Sequence, residues 1–410
     1  MKKLALVLAG GGSLGSYEVG AIEALEELGY HFDIVTGTSI GAINGAFVCN
    51  KQTDKLRGLW ENITPEKVMV DGLNLSKREF DDSIKKMFVK EIGRWGKQYL
   101  AGGKLGADIT PFKEYIRNCV DIDACYESPI KYGIVTARLG LGGLKLVDVD
   151  MQQVEKDKFL SYLHASSACF PIFPMEKIDG KNYVDGFYKD NLPIRLAFNM
   201  GADQVIAIDM KLFSLEPQHR FYLSLPNVEY IAPYSKMGSL MDFSQEVIGK
   251  NMKLGYNDVM KHYKKYLGYT FTFEPFDIDY NFLPFVLRDF ETDSKFIVNQ
   301  ITEGIRTKMD ERDYFVRTME IIAINLGITD YYRVFTFEEF KDLIRERTIE
   351  KIRDNSLFAL KDMVGNLATY RSDNVMFRFL KAFMKLSLDI DVEQLELEEK
   401  INSALEVKTE

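Results

Sequence analysis

Two glycine-flanked turns, each at the end of a short strand, constrain this chain more than anything else in it. Lys3 to Leu8 read as a buried strand, which runs into Gly10-Gly11-Gly12-Ser13-Leu14-Gly15. A helix is expected from Ser16 to Leu28, because Val19, Ile22 and Leu25 recur at helical spacing and Gly29 is a natural stop. A second short strand carries Phe32, Ile34 and Val35 and breaks at Gly37-Thr38-Ser39-Ile40-Gly41. The small-residue segment Ala42-Ile43-Asn44-Gly45-Ala46 follows, suited to a helix packed closely on a sheet.

The second turn has the G-x-S-x-G form of a nucleophile elbow. Gly37 and Gly41 let the backbone bend sharply, and Ser39 would present its hydroxyl at a helix N-terminus. The plain alternative is an ordinary strand–turn–helix junction that happens to hold a serine. The first turn has two functional readings. Gly10, Gly12 and Gly15 satisfy G-x-G-x-x-G, with Asp33 near the place of a ribose-binding acid. The same backbone N–H groups would equally serve as an oxyanion hole. The loop alone does not separate these readings, and a tight turn without a ligand stands beside both. The second strand ends in a serine elbow rather than in an acidic ribose contact, which favours acyl transfer.

A third element is Tyr183-Val184-Asp185-Gly186-Phe187-Tyr188-Lys189-Asp190-Asn191-Leu192-Pro193. Asp185 enters a turn, and Pro193 stands at a plausible first helical position. Taken by itself, Asp185 reads equally as a capping or turn residue. The ordered set of Gly10 to Gly15, Gly37 to Gly41 and Asp185-Gly186 resembles the patatin-like phospholipase family. Ala165-Ser166-Ser167-Ala168-Cys169-Phe170-Pro171 is similar to a further block of that family, and the resemblance covers roughly the first half of the chain.

The resemblance implies a three-layer α/β/α fold around a mostly parallel sheet. It implies a Ser-Asp dyad with Ser39 as nucleophile and Asp185 as general base. Backbone N–H groups of Gly11, Gly12 and Ser13 would form the oxyanion hole, and the substrates would be acyl esters of phospholipids or lysophospholipids. Two positions depart from the family: Leu14 stands where Arg or Lys is usual, and Phe187 where a small residue often follows the aspartate-glycine pair. A general carboxylesterase, an acyltransferase, a nucleotide-binding enzyme using Gly10 to Gly15, and a non-catalytic lipid-binding protein are the competing readings.

Composition narrows the field. The 61 acids against 52 bases give a formal charge of −9, which disfavours nucleic acid as a partner and global attraction to an anionic bilayer. Cys49, Cys119, Cys125 and Cys169 have no metal-ligand spacing and read as reduced thiols of a cytoplasmic protein, peripheral at a membrane where it meets its substrate. No metal and no cofactor are expected. No apolar stretch reaches the roughly 20 residues of a membrane span. His31, His164, His219 and His262 are candidate bases, with packed or surface histidines as the plainer reading.

The catalytic domain is expected over residues 1–215, closed by a late core strand at Gln204 to Ile208. Lys131 to Ala137 and Leu144 to Val149 read as a hairpin joined through Gly140 and Gly142-Gly143. Residues 216–410 are expected to be mostly helical after an irregular stretch from Leu215 to Phe290. Thr336 and Glu339 form a capping box there, with Phe335 and Phe340 as a hydrophobic staple. Residues 62–110, the apolar stretch Asn281 to Leu287 and the amphipathic stretch Val375 to Leu388 are candidate cap or membrane-contact elements. A core helix or a homo-oligomer contact are the alternatives for the last.

Overall fold

The computed structural model describes residues 2–70, 107–170, 172–212, 217–277, 290, 293–305, 308–354 and 370–406. Asn281 to Leu287 and most of the 62–110 segment lie outside these. The chain forms two compact units, Met1–His262 and Tyr263–Glu410.

In the first unit the apolar runs form strands where continuous burial calls for them. In chain order the main elements are β1 (Leu4–Leu8), α1 (Ser16–Glu27), β2 (Ile34–Thr38), α2 (Ile40–Cys49), α3 (Thr53–Asn62) and α4 (Thr110–Cys119), with short helices at Pro65–Val68, Ile122–Glu127 and Pro217–Leu223. Next come β3 (Lys131–Gly140), β4 (Gly143–Asp150), α5 (Phe159–Ser166), β5 (Glu176–Ile178), β6 (Lys181–Asp185) and α6 (Ile194–Asn199). The unit closes with β7 (Gln204–Ile208), β8 (Val228–Ile231) and α7 (Gln245–His262). The strand order is β5-β6-β3-β2-β1-β7-β8, with β4 on the free side of β3. From β3 to β8 neighbouring strands are parallel, whereas β4, β6 and β5 are antiparallel additions.

Successive strand residues point to opposite faces, and both faces are covered. Tyr132 meets α2, where its hydroxyl donates to the Ala42 carbonyl, while Gly133 beside it faces Leu196 and Met200 at the end of α6. This is the three-layer α/β/α arrangement expected. Pro193 caps α6 from outside instead of occupying its first turn. The compact unit also runs past residue 215, because α7 packs its backbone directly onto α1. A Cβ at Gly20 would overlap the Met252 carbonyl, and one at Gly255 the Tyr17 carbonyl, so two glycines permit the crossing.

The second unit is mostly helical. It contains β9 (Thr272–Phe273), α8 (Ser294–Ile301), α9 (Glu311–Asn325), β10 (Val334–Phe335), α10 (Phe337–Arg353), α11 (Tyr370–Ser387) and α12 (Val392–Glu406). Its core gathers Phe271, Phe273, Phe335, Phe340, Phe379 and Phe383. Several of these rings meet edge to face, as Phe273 and Phe340 do at 4.7 Å. The amphipathic stretch resolves as a core helix: Met376, Phe379, Leu380, Phe383 and Met384 of α11 are buried in this unit. On the same helix Leu386 is exposed and Phe377 half-buried. Among the described residues no helix is long and apolar enough to cross a membrane.

Candidate active site

The site lies at the C-terminal ends of β1 and β2. Ser39 joins β2 to α2 with φ 57° and ψ −125°, a backbone conformation costly for any residue with a side chain. The flanking glycines make this turn fit. A Cβ at Gly37 would overlap the Gly41 carbonyl, and one at Gly41 would lie 2.5 Å from the Ala9 carbonyl oxygen. The strained turn is held by Ser166, whose Oγ accepts the Ser39 N–H at 2.9 Å and donates to the Val135 carbonyl at 2.7 Å.

Asp185 ends β6 and faces the serine. Its Oδ2 accepts the Ser39 hydroxyl at 2.6 Å, and its Oδ1 accepts the Phe187 N–H at 2.9 Å. The Asp185 N–H donates to the Ala168 carbonyl at 2.9 Å, so the 165–168 segment braces both residues. Asp185 is 1 % exposed. Burial raises its pKa to about 7, against the lowering effect of the Phe187 N–H and the Ser39 hydroxyl. The carboxyl is thus poised near neutrality, in the range that suits a general base.

The glycine loop stands across from Ser39. Gly10, Gly11 and Gly12 line the cleft, and Gly12 has φ +56°. Asn191 pins the loop, donating from Nδ2 to the Gly10 carbonyl at 3.1 Å. Ser13 departs from expectation: its N–H donates to the Leu240 carbonyl at 2.8 Å, so it is not available as an oxyanion donor. Among the described residues no carbonyl outside the loop takes the N–H of Gly11 or Gly12. Behind the loop, Asn44 of α2 donates to the Gly15 carbonyl at 3.0 Å and to Glu18 at 2.8 Å, tying the elbow helix to the loop. Leu14 is buried and supplies packing where the resembled family places a cation.

Asp33, the candidate ribose contact, is at the wrong end of the sheet. Its Oδ2 accepts the Leu4 N–H at 2.9 Å, at the start of β1, a strand's length from Gly10. The histidines stand apart from the dyad. His219 contacts Asp190 at 2.9 Å, His262 contacts Glu229 at 3.2 Å, and His31 is exposed. His164 is buried, and desolvation, then Lys113 and Arg117, lower its pKa to about 3, leaving it neutral.

Above Ser39 and Asp185 opens a cleft, partly open to solvent. Its walls include Ile40, Val68, Phe112, Ile172, Phe173, Phe187, Leu240 and Phe243. An apolar wall around one Ser-Asp pair suits a hydrocarbon chain ending in a polar, reactive group. Ser166, Asn191 and Leu240 were not singled out as site residues by the sequence reading. Asn191 belongs to the aspartate-glycine block and Ser166 to the Ala165–Pro171 block, but only the fold shows what they touch.

Fold and site together define an α/β domain in which a strained serine elbow faces a buried carboxylate. Residues 6–198 match the family model of the patatin-like phospholipases. The chain is 30 % identical over 213 residues to patatin-like phospholipase domain-containing protein 7 of Rattus norvegicus, covering 50 % of this chain and 13 % of that protein. It is 25 % identical over 211 residues to the neuropathy target esterase sws of Drosophila melanogaster, with 50 % and 13 % covered. This chain therefore spans a small part of those relatives. Among solved structures, VipD from Legionella pneumophila aligns with a TM-score of 0.39 and 12 % identity, covering 95 % of this chain and 91 % of that one.

Proposed function

We propose that this protein is a lipid acyl hydrolase that cleaves carboxylic esters through an acyl-enzyme on Ser39. The observation that carries the reading is the 2.6 Å hydrogen bond from the Ser39 hydroxyl to a buried Asp185 at the foot of an apolar cleft. Ser39 Oγ attacks the ester carbonyl carbon while its proton passes to Asp185. The carbonyl oxygen gains negative charge opposite the N–H groups of Gly11 and Gly12. Collapse breaks the ester bond, and the departing alcohol takes the proton from Asp185. Water then gives a proton to Asp185, attacks the acyl group and releases the fatty acid, with the proton returned to Ser39.

The esterase and phospholipase names of the relatives support lipid esters as the substrate class. A phospholipid or lysophospholipid would place its acyl chain along Phe112, Ile172 and Phe173. An acyltransferase would use the same first half-reaction and differ only in the acceptor. The oxyanion donors Gly11 and Gly12, a catalytic unit that runs past residue 215 to include Leu240 and Phe243 of the cleft, and a peripheral place at the membrane belong to this reading. The test is hydrolysis of lysophosphatidylcholine and of a short p-nitrophenyl ester. Ser39→Ala and Asp185→Asn should each lower kcat/KM by at least about 1,000-fold with the fold retained. A Ser39→Ala protein that keeps full turnover overturns it.

A further inference from the structure

We propose that the paired tips of the β3–β4 and β5–β6 hairpins form a docking edge for an anionic lipid bilayer, beside the cleft. The proposal rests on the lipid-ester reading and adds to it the surface through which substrate is reached. It starts from strand register. Val135 of β3 pairs with Thr38 at the end of β2, so β3 continues for five further residues past the edge that carries Ser39. At about 3.3 Å per residue that is roughly 17 Å of projection. Arg138 is opposite Lys145 on β4 and Tyr183 on β6, and Tyr183 is opposite Glu176 on β5. Four antiparallel strands therefore extend together beyond the parallel sheet, and the turns at Leu141-Gly142 and Asp179-Gly180 end at one level.

The tip has a composition that folding does not explain. Leu141 is 113 % exposed in a turn where Gly, Asn or Asp is the usual choice, and Leu139 near the end of β3 is 37 % exposed. The charges are asymmetric too. The nearby carboxylates have cations from within the unit: Asp148 meets Arg195, Glu176 meets Lys113, and Asp179 shares Lys158 with Glu155. Arg138, Lys145, Lys177 and Lys181 are left without a carboxylate partner among the described residues. Arg138 and Lys145 even stand directly opposite each other, a like-charge pair that costs stability unless an anion comes between them.

Apolar side chains at a tip ringed by uncompensated cations match the interface of a bilayer bearing anionic headgroups. Screening limits charge interactions to about 8–10 Å at physiological salt, so this local excess acts despite the formal charge of −9 on the chain. The base of the projection is continuous with the cleft wall. Leu144 and Met175 pack with Ala137, Phe170 and Val184, and the cleft-lining Cys169, Ile172 and Phe173 flank Phe170 in sequence. A membrane touching the tips would lie next to the cleft.

The test is co-sedimentation of the full chain with vesicles of phosphatidylcholine, alone or mixed with phosphatidylglycerol. Binding is expected to require the anionic lipid and to weaken with salt. Leu141→Asp, and Lys177→Glu with Lys181→Glu, should each lower vesicle affinity by about tenfold or more. Turnover of a soluble short-chain ester should be unchanged in these variants, which also reports that they fold. Ser39→Ala should bind vesicles as the wild type does, so loss of the catalytic reading and loss of this one are told apart. Wild-type protein that does not sediment with anionic vesicles, or tip variants that bind as tightly as wild type, would overturn the proposal. An acidic protein as the true partner would show itself in the first of those outcomes.

Discussion

Ser39 and Asp185 owe their chemistry to what surrounds them. An aspartate in water is a poor base at neutral pH, and here burial raises its pKa to about 7. With Asp185 as the proposed base, turnover requires its ionised form, so kcat/KM should rise with pH and level off above about 7. The same shift has a cost in stability. Between the ordinary value of 3.8 and about 7 the folded state holds a proton that the unfolded state releases, so stability falls as pH rises through that window. Asp185→Asn removes this slope. Its melting midpoint should gain on wild type from pH 4 to pH 7 and hold the gain above, by an energy on the order of 4 kcal/mol. A constant difference across that range would contradict the assignment. Ser166 is a positioning residue for Ser39, through the hydrogen bond to the strained N–H. Ser166→Ala should lower kcat about tenfold to a hundredfold with KM unchanged. A covalent serine probe should still label every molecule, but more slowly; slow labelling separates misplacement from a loss of folded protein.

The elements that were legible from sequence are those whose reasons are local. β1, β2 and α1 follow from apolar runs and periodicity, and the capping box at Thr336 forms with Glu339 as expected, its N–H donating to Glu339 at 2.9 Å. Phe335 and Phe340 meet at 5.0 Å, which completes the staple. Thr336→Ala should therefore destabilise the second unit by about 1 kcal/mol in chemical denaturation, an effect absent if the cap were idle. The elements that escaped notice depend on partners far away in sequence. α7 carries Gly249 and Gly255, which blur its periodicity and lower its helix propensity, yet Gly255 is what lets it lie against α1. β8 is a four-residue strand whose only strand neighbour among the described residues is β7, too short to announce itself. β5 and β6 carry lysines and a glutamate because they leave the sheet for solvent.

Across the whole molecule, the order of the three blocks is enough to reach the layered architecture and the family model that residues 6–198 match. The distribution of roles within the loop was not. Whether the N–H of Ser13 is free depends on Leu240, more than 200 positions away, and no local pattern encodes that contact. The close of the first compact unit at His262 is likewise a property of the α1–α7 crossing rather than of composition. Among the described residues, those that line the site all come from the first unit.

The most direct measurement is reaction of the purified protein with a fluorophosphonate, read by intact mass and by mapping of the labelled peptide, with Ser39→Ala as control. One adduct, on Ser39, abolished by the substitution and slowed below pH 7, is the expected result. A folded protein that stays unlabelled, or one labelled at another serine, would contradict a Ser39-Asp185 hydrolase.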